Sequence, residues 1–149
     1  MTDIDREYGL LCGLTGYLAE VSAAVGVGAE SCTVDVDAPV SAYIALDARL
    51  GRCPDRDTAL LWDERYGWSL AMETRSGEDL LVLAYLGREL VPRPARVRDF
   101  VAAIRSHGGP VTAPVPPDLG SASADVPSLL TRYRRDSWTA GGSFLPPVG

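Results

Sequence analysis

Apolar residues recur every third or fourth position near the start of the chain. Ile4, Tyr8, Leu11, Leu14, Leu18, Val21 and Val25 fall on one face of an α-helix. Asp3, Asp5 and Glu7 stand where the helix dipole favours negative charge, and Gly26 and Gly28 supply a stop. Gly9, Gly13 and Gly16 interrupt the pattern at about 1 kcal/mol each relative to alanine, unless close packing requires them.

The period then changes to two. Thr33–Asp37 alternates, with Val34 and Val36 on one face and Asp35 and Asp37 on the other, and Val40–Asp47 places Val40, Ala42, Ile44 and Leu46 together. Pro39 marks a bend or an edge between them. Residues 80–86 form an apolar run with little alternation, the pattern of a strand covered on both faces. Helical spacing returns over Arg93–His107, with Val97, Phe100, Val101 and Ile104 inward and Pro94 in the first turn.

Between these lies Thr58–Glu73, which holds Trp62 and Trp68 around Glu64-Arg65-Tyr66-Gly67. A tight turn there predicts a hairpin in which Glu64 faces Trp68, Trp62 faces Leu70 and Leu60 faces Met72. Leu60, Trp62, Trp68, Leu70 and Met72 then share the inner face, while Leu61, Asp63, Ser69 and Glu73 share the outer one. This register makes the tryptophans core residues rather than a ligand-stacking pair.

Together the pattern predicts the α+β class: an antiparallel meander of about four strands flanked by an N-terminal and a C-terminal helix. Residues 1–109 form the expected single domain. Residues 110–149 hold seven of the eleven prolines and read as a Pro/Gly-rich extended tail with a short helix candidate at 128–135.

Composition narrows the chemistry. All 14 basic residues are arginine, so lysine-dependent Schiff bases, Walker-type phosphate loops and Ser-Lys dyads are excluded. Asparagine and glutamine are also absent, a coding bias of GC-rich genomes. Cys12, Cys32 and Cys53 are widely spaced and form neither a zinc pattern nor a disulfide framework. An acidic start and the expectation of no apolar run of about 18 residues point to a cytoplasmic protein without a membrane partner. Residues 1–91 carry seven arginines against sixteen acids, a net −9, whereas 92–149 carry seven against four, a net +3. The two parts therefore attract each other.

Several constellations resemble sites and read more simply as architecture. Gly26-Val-Gly-Ala-Glu-Ser31 lacks a third glycine and follows a helix, so it is a helix stop rather than a dinucleotide loop. The sole histidine, His107, lies beside Gly108-Gly109, where it suits a helix C-terminus. Asp35/Asp37 and Asp55/Asp57 do not continue as calcium loops, since the sixth position is Val40 or Leu60 rather than glycine. No metal or cofactor is expected. An enzyme would have to be carboxylate-dependent, using Asp57, Asp63, Glu78 or Asp79 in a deep pocket.

The tail holds the expected binding residues. Leu129, Leu130 and Tyr133 form a small apolar stripe beside Arg132, Arg134 and Arg135, followed by Trp138 and Phe144. This stripe either folds back on the chain's own acidic domain or docks on a protein partner or a second copy. The arginines also admit a DNA-associated regulatory role, although a net charge of −6 disfavours nucleic acid as the primary partner.

Ala42-Tyr-Ile-Ala-Leu-Asp47, Leu61-Trp-Asp-Glu-Arg-Tyr-Gly-Trp68 and Ser76-Gly-Glu-Asp-Leu-Leu-Val-Leu-Ala-Tyr-Leu-Gly87 resemble a family of small actinobacterial proteins, the domain of unknown function numbered 6292. The resemblance covers about residues 5–106 and implies a fold and a lineage, not an activity or catalytic residues. The layout is also similar to that of secretion-chaperone-like proteins, which bind client segments. The resulting expectation is a non-enzymatic interaction module, adaptor or chaperone-like, with a docking tail.

Overall fold

The computed structural model describes residues 3–37, 40–46, 57–73, 80–87, 89–106, 116–117 and 126–133, with side chains from Tyr8 onward. Helix α1 spans Asp3–Val25. It ends at Gly26, whose φ of 89° lets the amides of Gly26 and Val27 return to the carbonyls of Ala23 and Ser22 at 3.2 and 2.9 Å. A 3-10 turn, Ala29–Ser31, leads into the sheet.

The sheet holds β1 (Cys32–Asp35), β2 (Ser41–Leu46), β3 (Thr58–Asp63), β4 (Gly67–Glu73) and β5 (Leu80–Tyr85). Their spatial order is their chain order, and every neighbouring pair is antiparallel. The meander therefore has five strands rather than about four: the segments marked by the sequence, with both arms of the tryptophan hairpin counted, each form one. Helix α2 follows at Pro94–Ser106. A short helix α3, Val126–Leu130, continues as a 3-10 turn through Tyr133, slightly ahead of the expected 128–135.

One core unites Leu14, Tyr17, Leu18 and Val21 of α1 with Ile44, Leu60, Trp62, Trp68 and Leu70 of the sheet, Val97 and Val101 of α2, and Leu130 of α3. Alternation in β2 selects Ala42, Ile44 and Leu46 for this face. On the opposite face a row runs from Tyr43 through Leu61 and Ser69 to Tyr85 across four strands. Residues beyond 109 thus contribute to the same core as the rest of the chain.

Four details depart from the sequence pattern. The buried stripe of α1 runs through Leu10, Leu14, Tyr17, Leu18 and Val21, while Tyr8 and Leu11 are exposed. Leu10 and Leu11 are adjacent and equally apolar, so periodicity alone does not choose between two overlapping stripes. Val36 lies past the end of β1 and is exposed. β5 is an edge strand with Leu80 and Leu81 exposed, not one covered on both faces. Finally, Tyr8–Val25 has a mean hydropathy of 1.3 over 18 residues, long and apolar enough to cross a membrane, with half of that stretch buried inside the fold. A core helix meets the same criterion.

Candidate functional site

In the β3–β4 hairpin, Trp62 stands opposite Trp68, Leu60 opposite Leu70 and Thr58 opposite Met72. The expected inner face is correct and the expected pairing is not. Gly67, at φ 72°, opens β4 instead of closing the loop. Asp63 fixes the turn, its Oδ1 accepting the amides of Arg65 and Tyr66 at 2.7 and 2.6 Å. Of the outer set, Ser69 is buried, whereas Asp63 and Glu73 are half-buried.

Both indoles are fully buried, and both N–H groups find acceptors. Trp62 Nε1 donates to the Leu90 carbonyl at 2.7 Å, and Trp68 Nε1 donates to Tyr17 Oη at 3.0 Å. Tyr17 Oη in turn donates to the Pro92 carbonyl. Three side chains from α1, β3 and β4 therefore hold the β5–α2 connection from inside the core. No buried side-chain polar atom among the described residues lacks a partner. Burial pushes the Tyr17 phenol far above its ordinary range, with the nearby Tyr133 and Glu89 adding to the effect and the Trp68 hydrogen bond opposing it. This keeps the phenol protonated, as its role as a donor to Pro92 requires.

The tail segment docks on the same cluster. Tyr133 lies against Tyr17 with ring centroids 4.7 Å apart and tilted by 52°. Val126 and Leu130 are fully buried. Leu130 faces Gly13, where an added Cβ would lie 2.8 Å from both the Leu130 Cβ and its carbonyl oxygen. The glycine in α1 thus provides the room for α3. Leu129 points outward and is 39% exposed, and Arg132 is exposed with its guanidinium 5.8 Å from the Tyr133 ring centroid. Of the expected binding residues, Leu130 and Tyr133 are therefore held in the chain's own core, while Leu129 and Arg132 face outward. Arg134, Arg135, Trp138 and Phe144 lie outside the described residues.

Where this segment ends, a cleft of about 550 Å³ opens between α1, the start of α2 and the 3-10 turn, lined by Glu20, Arg93, Pro94, Ala95, Arg132 and Tyr133. Its charges are mixed, two guanidiniums and one carboxylate. Glu20, Arg93 and Tyr17 carry no site motif in the sequence. For Tyr17 a signal was present, since Leu10, Leu14, Tyr17 and Val21 keep the helical period.

The acidic pairs do not assemble into a common site among the described residues. Asp63 is committed to its turn, Asp57 is exposed beside β3, and Glu78 and Asp79 lie outside the described residues. Asp57 and Glu73 act instead on Tyr43, whose phenol is raised first by burial and then by these two charges. Burial also raises the Cys32 thiol, against a hydrogen bond with Ser22, which works against thiolate reactivity. Cys12 is buried. No group of three or more His, Cys, Asp or Glu side chains among the described residues is placed to hold a metal ion. His107 and Cys53 are outside them.

The fold and the docked segment define a small α+β protein, a five-stranded antiparallel meander backed by helices, with its C-terminal segment sealed into the core. The chain belongs to a family of unknown function, DUF6292, whose model matches residues 17–103. The docked segment lies beyond the matched range. Neither the curated proteins nor the solved structures contain a match.

Proposed function

We propose that this chain is a non-enzymatic protein-interaction module, adaptor or chaperone-like, whose contact surface is the outer side of the docked segment. The observation that carries this reading is the division within one short stretch. Leu130 and Tyr133 anchor the segment in the core, while Leu129 and Arg132 stand exposed on its outer side. Arginine is enriched at interfaces, and the exposed Leu129 three residues before Arg132 adds apolar area to a segment whose other side is anchored in the core. The buried Trp and Tyr polar groups are engaged by the architecture, which supports binding over chemistry at the most aromatic part of the chain.

Affinity capture from native extract tests the reading with the full chain and its Leu129→Asp variant. The expected result is a partner retained by the native chain and lost by the variant, with thermal unfolding unchanged. Equal retention by both proteins contradicts this contact surface.

A further inference from the structure

The two edges of the sheet differ. β1 is four residues long, contains Asp35, and is followed in sequence by Asp37 and Pro39, all features that discourage further strand addition. β5 reads Leu-Leu-Val-Leu-Ala-Tyr, without charge or proline, and leaves Leu80 38% and Leu81 51% exposed. These leucines lie on opposite faces of the sheet, Leu81 continuing the row of Leu46, Thr58 and Met72, and Leu80 lying opposite Glu73.

The backbone of this edge is directed outward at defined positions. The Glu73 amide donates toward β3, to the Asp57 carbonyl, and the Leu86 amide donates to Trp68 on β4. Alternation then turns Met72 and Leu81 toward each other and turns the amides and carbonyls of Leu80 and Val82 away from β4. A bulge follows at Leu83, between the Ala71–Val82 and Leu70–Ala84 pairs, so Leu80–Val82 is the regular part of the edge.

We propose that this edge pairs with the same edge of a second copy, antiparallel, across a two-fold axis through Leu81. Leu80 of each copy then lies opposite Val82 of the other and exchanges backbone hydrogen bonds with it. The two Leu81 side chains meet in the closer, non-hydrogen-bonded position. The occupant follows from the edges and the charges. Head-to-tail addition would require the blunted β1, whereas a β5–β5 contact is closed and self-complementary. The acidic Glu78-Asp79 precedes β5 and Arg88-Glu89, neutral overall, lies beyond it. An antiparallel partner therefore avoids stacking acids on acids, which a parallel one would impose. This edge shares no residue with the docked Val126–Tyr133 segment.

Mass measurement of the full chain in solution tests the inference, together with Val82→Pro and Leu81→Arg. Proline at Val82 removes an outward amide without removing a bond to β4, and arginine at Leu81 places like charges opposite each other. The expected result is a native mass twice the 15.9 kDa of one chain, falling to a single chain in both variants with unchanged circular dichroism. Leu129→Asp should keep the doubled mass. A native chain of single mass, or a doubled mass that survives in both variants, overturns the inference. Should the variants fail to fold, amide exchange on the native chain decides. Exchange at Leu80 and Val82 should slow as concentration rises, and exchange independent of concentration overturns the pairing.

Discussion

Leu130 occupies the space that a side chain at position 13 would need: its Cβ and its carbonyl oxygen both lie 2.8 Å from where a Cβ on Gly13 would stand. Such contacts are far inside van der Waals distance, and one of them is to backbone, which cannot rotate away. A glycine that weakens α1 in isolation thus permits the close approach of α3. The C-terminal segment and the N-terminal helix are parts of one packing unit.

Gly13→Ala should therefore release the segment. The helix itself gains about 1 kcal/mol from the replacement, while the forced contact costs roughly 1 to 3 kcal/mol. Trypsin cleavage after Arg132 should accelerate in the variant, with the sheet still folded. Unchanged cleavage would mean that α3 has another seat.

Trp62→Ala should cost about 3 to 5 kcal/mol, because the indole is fully buried and its removal leaves a large cavity. Trp62→Phe retains much of the volume but leaves the Leu90 carbonyl without its donor, a loss of about 1 to 3 kcal/mol. Denaturant unfolding measures both. A loss below about 1 kcal/mol for alanine would contradict a core role.

Tyr17→Phe removes the hydroxyl that joins Trp68 to Pro92, at a cost of about 1 to 3 kcal/mol. It should also change the response to alkali. The Tyr17 phenol titrates higher when folded than the ordinary 10.0, so its contribution is complete below about pH 10 and declines as pH rises beyond it. Above that point the native protein should lose up to about 1.4 kcal/mol per pH unit through this group. Tyr43, Tyr85 and Cys32 shift in the same direction, so the informative quantity is the difference between native protein and variant. Equal slopes would contradict a phenol raised by folding.

The legible parts of the sequence were those where one period dominates. Ala42, Ile44 and Leu46 alternate against polar or small neighbours, and Val97, Val101 and Ile104 recur at helical spacing, so the inner faces of β2 and α2 were readable. α1 was ambiguous because apolar residues surround most of it, and tertiary contacts with Trp68 and Tyr133 decided in favour of Tyr17. The hairpin faces were readable while its pairing was not, since the Asp63 turn shifts the register without exchanging faces. An apolar run such as Leu80–Tyr85 carries no mark of whether a neighbour lies on its far side. For the tail, Leu130 and Tyr133 were recognisable as an anchor, but their seat depends on a glycine more than a hundred residues earlier.

Amide exchange across Val126–Tyr133 in the full chain tests most directly whether this segment is a built-in base for binding. Such a short helix has no stability of its own, so any protection must come from docking. Protection at Leu130 and Tyr133 should approach that of Leu14 to Val21 in α1 and should collapse in Gly13→Ala. Exchange at the rate of an unstructured peptide in the native chain would contradict the anchored segment and, with it, the contact surface it presents.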